Sequence, residues 1–409
     1  MRILFLTDNF PPEVNAPATR TYEHCLEWIK EGIEVTVITC HPNFPHGNLY
    51  TGYKNNFFLK EYKDGIEIIR VWSYMSSNKG FFKRTLDYMS FAFMAFLVGL
   101  FQKHDILIAT SPQFFTTWSA YGLSKVRRKP WIFELRDIWP ESISTVGVLK
   151  KGKVISLLEK IEIALYQDSN KVIAVTNSFK ENLISRGIEA NKVDVITNGS
   201  NLDLFFIREK NDLLLKKLNF KNKFIVGYIG THGLAHSLDF IIKSLEKIQD
   251  SQIHFLFIGD GAMKETIVSL SKQLKLNNIT FLNAIEKEDV PKYLSICDVS
   301  LAPLKNKKNF KTVIPSKIFE ASAMGKPTLL GVKGEAQNIL EKYSAGICFE
   351  PENEKDFIDK LMLLKTREVY THCEKGCKEL ALAYDRKKLA KKMLMSIKEV
   401  LLEEKSKGT

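Results

Sequence analysis

Cysteine is sparse in this sequence, with six residues among 409, at positions 25, 40, 297, 348, 373 and 377. They follow no regular spacing, which excludes a disulfide framework and points to a reducing cytoplasm. His372, Cys373 and Cys377 are the one local group with metal-ligand chemistry; no second Cys/His cluster completes it, so they read as helical residues. No uncharged run reaches the roughly 18 residues of a membrane-spanning helix. The longest is YMSFAFMAFLVGLFQ, Tyr88 to Gln102. MRILFLTDNF has one positive charge, a very short apolar run and then Asp8, which is not the layout of a secretory leader. Internal repeats and low-complexity tracts are lacking, and no motif for nucleic-acid recognition is found, so nucleic acid is not an expected partner.

What is present is an ordinary globular composition, 45% hydrophobic and 26% charged, with length enough for two domains. The net charge is +12. Basic clusters recur at KGFFKR from Lys79, KVRRK from Lys125, KKGK from Lys150 and KNKKNFK from Lys305. Such clusters suit an anionic membrane or a phosphorylated substrate, although a Lys-rich background would produce them with no partner. Lys83, Arg84 and Lys103 flank the apolar run from Tyr88. That run reads either as a core helix, which its composition favours, or as a helix partly exposed to lipid headgroups.

Short apolar runs alternate with stretches of helical period. The strand readings are 2–7, 34–39, 66–71, 105–110, 131–135, 171–176 and 192–197, with helices at 17–31, 83–103, 114–127, 153–167 and 178–186. The pattern then restarts with strands at 224–230, 253–261, 278–283, 299–304 and 327–332. This is βαβ alternation in two α/β domains, each a parallel sheet covered by helices. The turn-rich NGSNLDLF, Asn198 to Phe205, marks a boundary, giving domains at 1–205 and 206–377. Residues 378–409 read as a terminal helix packing back on the first domain. Ligands of open parallel sheets bind outside the carboxyl ends of strands, so the loops after them carry the interest.

One of these loops leads into PSKIFEASAMGKPTLL, Pro315 to Leu330, where Glu320 stands among small and apolar residues. A helix starting at Pro315 puts Ser316 and Lys317 in its first turn, where N–H groups and the dipole favour an anion. Glu320 lies on the same side, one turn on, within reach of hydroxyls attached to that anion. A nucleoside diphosphate has this layout; a solvent-facing Glu is the plain alternative.

VITNGSNLDLF, FIGDGAMKE, AIEKEDVPKYLSICDVSLAPL and IPSKIFEASAMGKPTLLG resemble, in order and spacing, the C-terminal domain of GT-B glycosyltransferases of family 4. DNFPPEVNAPATRTYEH and FELRDIWPES resemble a subgroup that builds O-antigens and capsules, including L-fucosamine (N-acetylfucosamine) transferases. The resemblance implies two Rossmann-like domains facing across a cleft. It makes Glu320 the ribose carboxylate and gives the diphosphate to main-chain groups at Ile314, Ser316 and Lys317. The family's first Glu, seven residues earlier, is Thr312 here. Its usual Arg and Lys after the first C-domain strand are also missing. The loop reads GTHGLAHSLD, leaving Gly230, Thr231 and Gly233 for backbone approach and His232 to assist. Ile285 matches the position that holds the base. In the first domain Arg136-Asp137 stands where many members have His-Asp, with Asp137 expected at the donor sugar and Arg136 on phosphate. Asp8 and Arg20 flank a Pro-rich loop on the acceptor side.

The implied activity is hexosyl transfer from a UDP-sugar, an N-acetylated amino or deoxyamino sugar, to an undecaprenyl-diphosphate-linked acceptor in surface polysaccharide synthesis. Retention of anomeric configuration, no metal and no cofactor are expected; the sequence has no Asp-x-Asp pair. The expected location is the cytoplasm, with peripheral attachment to the anionic inner face of the membrane. A UDP-sugar 2-epimerase of the same fold and a non-enzymatic nucleotide-sugar sensor are the alternative readings.

Overall fold

In a computed structural model of the chain, the described residues are 1–44, 47–76, 81–111, 113–139 and 152–407. Lys79, Lys150 and Lys151 of the basic clusters, and Pro140 to Ser142 of the second N-domain motif, lie outside them.

The chain forms two units. Unit 1 is Met1–Thr197 with Lys387–Thr409, and unit 2 is Asn198–Arg386. Unit 1 runs β1 (Arg2–Leu6), α1 (Ala16–Lys30), β2 (Glu34–Cys40), β3 (Phe58–Lys63), β4 (Ile66–Val71), α2 (Phe81–Gly99), β5 (Ile106–Thr110), α3 (Phe114–Arg127), β6 (Trp131–Leu135), α4 (Lys153–Asp168), β7 (Lys171–Ala174), α5 (Asn177–Ser185) and β8 (Val193–Val195). Its sheet has the order β3-β4-β2-β1-β5-β6-β7-β8, parallel except for β3. The central strands are buried on both faces, hence their near-continuous Ile, Leu and Val.

Unit 2 contains α6 (Asp212–Lys217), β9 (Phe224–Ile229), α7 (Leu238–Leu245), β10 (Ile253–Ile258), α8 (Lys264–Gln273), β11 (Ile279–Leu282), α9 (Val290–Ile296), β12 (Val299–Pro303), α10 (Lys317–Ala323), β13 (Thr328–Gly331), α11 (Glu335–Lys342), β14 (Gly346–Cys348), α12 (Glu354–Lys365) and α13 (Arg367–Ala383). Its parallel sheet has the order β11-β10-β9-β12-β13-β14. A last helix, α14 (Arg386–Lys407), belongs to unit 1. Leu389, Met393, Leu394, Ile397 and Val400 pack among Ile3, Trp28, Val35 and Ile68, and the Trp28 indole N–H donates to the Ala390 carbonyl at 2.9 Å.

The boundaries therefore fall at 197 and 386, not at 205 and 377. Phe205 is buried in the unit 2 core, which draws the turn-rich segment into that unit. The Lys-rich stretch from 378 is two helices, because the chain extends at Asp385 to bridge Ser200 in parallel. Ser200 N–H donates to Tyr384 at 3.1 Å and Arg386 N–H to Ser200 at 2.9 Å, so the two passes between units lie side by side.

The apolar run from Tyr88 falls on α2. Phe91 and Ala95 enter the unit 1 core, whereas Met89, Phe93 and Leu97 are exposed. The helix thus has one face of each kind.

Candidate functional site

A parallel sheet opens a crevice where its strand order reverses. In unit 2 this point lies between β9 and β12, and the loops leaving those strands are the ones that carried the sequence motifs. Lys317 begins α10; Ser316 is its cap residue, two positions later than the expected start at Pro315. The Lys317 ammonium stands 3.6 Å from the ring centroid of Tyr228 on β9. It makes no ion pair with another described residue. Burial pushes its pKa down to about 7, against an opposing pull from Glu320. Gly230 has φ +144° and follows β9 directly; a Cβ there would meet Lys317 Nζ at 3.3 Å. The missing side chain leaves the loop's backbone and this ammonium open to a common ligand.

Glu320 lies one turn further along α10, and its carboxylate is held by Lys287. The Lys287 ammonium also sits 5.1 Å from the Phe205 ring. Ile285, two positions earlier in the same loop, packs against the neighbouring core, so the ion pair ties the loop after β11 to α10. Lys287 was not among the residues expected from the sequence. Its only signal was proximity to Ile285.

Thr312 ends a 3-10 turn, and its hydroxyl donates to the Asn309 carbonyl at 3.0 Å. Ile314 buries its side chain in the core, leaving only its main chain for a ligand. Thr231 is exposed.

His232 follows on the same loop. Its ring is fully buried, close to Tyr228 and Phe257, and neither ring nitrogen has a partner among the described residues. Burial, reinforced by Lys264 and Lys317, pushes its pKa down to about 4. A neutral ring brings no charge and keeps one N–H to donate. The burial comes from the next loop: Gly259 and Gly261 have φ +146° and +148°, and a Cβ at Gly259 would lie 1.9 Å from the Gly230 carbonyl oxygen. These glycines let the two loops touch, and His232 is sealed beneath the contact; Gly233 lies beside His236.

In unit 1 the order reverses between β1 and β5. Asp8 follows β1, and Ser111 and Gln113 follow β5. Asp8, Glu13, Asp87, Arg84, Tyr88 and Gln113 line a cavity of about 50 Å³. Burial pushes the Asp8 carboxyl well above the usual range, with Asp87 and Glu13 adding to the rise. Burial also raises Asp87 to about 6 despite hydrogen bonds from Ser76. Arg136 and Asp137 follow β6, and their backbone N–H groups donate to Ser111 Oγ at 2.9 and 3.3 Å. Arg20, beyond the Pro-rich loop, is buried on α1, where it bonds Glu134 at 2.9 Å and the carbonyls of Ile196 and Thr197. Among the described residues no group of three or more His, Cys, Asp or Glu is arranged to hold a metal ion.

Residues 17–204 match the model of Glycosyltransferase Family 4, and residues 210–379 match that of Glycosyl transferases group 1. The chain is 25% identical over 366 residues to WcaI of Escherichia coli (strain K12), whose name assigns it provisionally to colanic acid biosynthesis as a glycosyl transferase; 86% of this chain and 89% of that protein are covered. The fold superposes on sucrose-phosphate synthase from Thermosynechococcus elongatus with a TM-score of 0.79 at 15% identity, covering 98% and 99% of the two chains. It also superposes on Anabaena Alr3699/HepE, solved with UDP-glucose, with a TM-score of 0.70 at 16% identity, covering 98% and 100%. Unit 1 thus carries a Glycosyltransferase Family 4 domain and unit 2 a Glycosyl transferases group 1 domain, in a fold shared with solved GT-B glycosyltransferases.

Proposed function

We propose that the protein transfers a sugar from a UDP-sugar to a lipid-linked glycan during assembly of a bacterial surface polysaccharide. The observation that carries this reading is Lys317, an unpaired cation at the β9–β12 reversal beside the bare backbone of Gly230. A departing diphosphate needs positive charge and N–H donors where its own charge develops. Lys317 supplies the charge. The backbone N–H groups of Ser316 and Lys317 supply donors, since neither is bonded to another described residue. Glu320 binds the ribose hydroxyls, and Lys287 holds that carboxylate in place. The relative solved with UDP-glucose supports a UDP-linked donor, and the relative named for colanic acid supports a polysaccharide product.

Transfer proceeds with retention and without a metal: the leaving phosphate oxygen takes the acceptor's proton on the same face, so no protein base is required. Asp137 orients the donor sugar and Arg136 shares the phosphate charge. The sugar is an N-acetylated amino or deoxyamino sugar, the acceptor an undecaprenyl-diphosphate-linked glycan, and the enzyme works at the anionic inner face of the cell membrane.

The test is a panel of UDP-sugars with a lipid-linked acceptor, with and without EDTA, and anomeric NMR of the product. Transfer with the donor's own configuration, unaffected by EDTA, is expected. Asp137→Asn should lower the rate yet leave it measurable; a loss of about 10²–10⁴-fold together with an inverted product would make Asp137 a general base and overturn retention. An epimerised UDP-sugar without transfer would identify a 2-epimerase, and binding without turnover a sensor.

A further inference from the structure

The exposed apolar residues of α2 follow one line. Phe82, Leu86, Met89, Phe93 and Leu97 are separated by four, three, four and four positions, and Phe101 continues the series just beyond the helix. Three- and four-residue steps keep side chains on one face of a helix. Over the 19 residues of α2 the stripe extends about 28 Å. Its aromatic members are the most exposed, Phe82 at 86%, Phe93 at 62% and Phe101 at 84%, while Leu97 is only partly so at 37%.

The helix cannot turn this face inward. The flank beside it is fixed against α3 at three levels. Ser119 Oγ donates to the Ala92 carbonyl at 2.5 Å, a Cβ on Gly122 would meet the Phe96 ring at 3.0 Å, and a Cβ on Gly99 would meet Leu123 at 2.6 Å. Those contacts also show that α2 and α3 run in the same direction, so the carboxyl ends of both helices lie together. The only acid on α2, Asp87, is turned inward, where the Ser76 N–H donates to it at 3.1 Å.

The charges around the stripe are of one sign. Lys83 is exposed at its start and Lys103 at its end, whereas Arg84 turns away from the stripe onto the Tyr88 ring and the acidic cavity. Arg127 and Arg128, exposed at the end of α3 next to the exposed Val126, join Lys103. None of these four cations, Lys83, Lys103, Arg127 and Arg128, is in an ion pair with another described residue. No helix of the described chain is long and apolar enough to cross a membrane.

We infer that the α2 stripe is the element by which the protein docks on an anionic bilayer, lying in the interface plane with its six apolar side chains at the headgroup–acyl boundary. The inference deepens the functional reading above, in that it names the surface that would bring the enzyme to a lipid-linked acceptor. An amphipathic face with a cationic surround is the pattern of interfacial helices. A second copy of the chain fits worse. With basic residues at both ends of the stripe, either a parallel or an antiparallel pairing sets cation against cation, whereas anionic headgroups satisfy both ends together.

The test uses the full chain with phosphatidylcholine vesicles, with and without phosphatidylglycerol, in a co-sedimentation assay at low and high salt. The protein should bind the anionic vesicles. Phe93→Ser/Phe101→Ser should reduce partitioning about tenfold or more at either salt concentration. Arg127→Gln/Arg128→Gln should reduce it less, and only at low salt. Leu86→Ser/Leu97→Ser, on the same line, replaces the first pair should that pair fail to fold by circular dichroism. UDP binding should be unchanged in all of these variants, which separates failure of this inference from failure of the donor assignment. Wild-type indifference to anionic lipid, or apolar variants that bind as wild type does, would overturn the inference. So would self-association in the ultracentrifuge that is lost in Phe93→Ser/Phe101→Ser without any vesicle binding.

Discussion

The two units build their candidate sites at the same topological place and line them with different groups. At the β9–β12 reversal the unpaired group is an ammonium, Lys317, and the nearest acid, Glu320, is already held by Lys287. At the β1–β5 reversal three carboxyl groups, Asp8, Glu13 and Asp87, share a small cavity with one guanidinium, Arg84. The sheet decides where a ligand sits; the side chains decide its charge. A diphosphate suits the first site. The second gathers carboxyl groups that can hydrogen-bond hydroxyl or amino groups.

The largest effect should come from the scaffold beneath the acidic site. Burial acts to raise the Glu134 carboxyl, yet Arg20 and Arg136 outweigh it and hold it below its ordinary value. Arg20→Met leaves that buried carboxylate without its bonded cation and should cost about 3–5 kcal/mol, read by urea unfolding. Equal stability to wild type would show that Arg136 alone sustains Glu134.

The cationic site is tested by Lys317→Met, which should weaken UDP binding by about 1.5–3 kcal/mol in calorimetry. Its pH dependence follows from a pKa near 7 in the free protein. Below pH 7 the ammonium is already formed and affinity should be flat. Above it a proton must be taken up with UDP, so affinity should fall by up to about tenfold per pH unit. Lys317→Arg should abolish this slope; a slope that persists would assign the titration to another group.

Glu320→Ala should cost UDP affinity a comparable or smaller amount, about 1.5–3 kcal/mol at most, and Glu320→Gln less. Lys287→Met serves as the companion variant, since it frees the carboxylate without removing it. An unchanged UDP affinity in folded Glu320→Ala would reduce the Lys287 pair to a structural contact.

The smallest effect concerns the acidic site. Asp87 has a folded pKa near 6 against an ordinary 3.8, so the folded state favours its protonated form. Its stabilising contribution is full below about pH 4 and is lost as pH rises through 6. Asp87→Asn should therefore gain about 1–2 kcal/mol at pH 8 and nothing at pH 4 in thermal unfolding. A gain independent of pH would mean that charge is not what destabilises the cavity.

Strands buried on both faces were legible because their Ile, Leu and Val runs are continuous, and β4 and β6 fall where the sequence places them. Strand β3 was missed: it is an edge strand with Lys60 and Lys63 among its six residues and almost no buried side chain. The three-residue β14 carries too little pattern to read. At the site, Lys317 and Glu320 were legible because spacing along one segment brings them together; Gly230 stands after a different strand, and the family resemblance pointed to it. The burial of His232 and the pairing of Lys287 were not legible. The first comes from a loop on another strand, and the second reaches Glu320 across 33 positions. Both depend on contacts between loops that are distant in sequence, which a local pattern does not encode. The α2 run was visible as a run, but the line it exposes is fixed only by how Gly99 and Gly122 let α3 approach.

The bond from the Trp28 indole to Ala390 spans 362 positions. Unit 1 therefore cannot be finished in the order in which a ribosome makes it. Its Trp28, Val35 and Ile68 face stays uncovered while all of unit 2 is synthesised, and it closes only when α14 emerges. A nascent chain with such an open apolar face is a client for chaperones and a hazard at high expression. Unit 1 produced by itself, as a chain ending at Thr197, would lack part of its core, and a circular permutation that places α14 before Met1 would restore it.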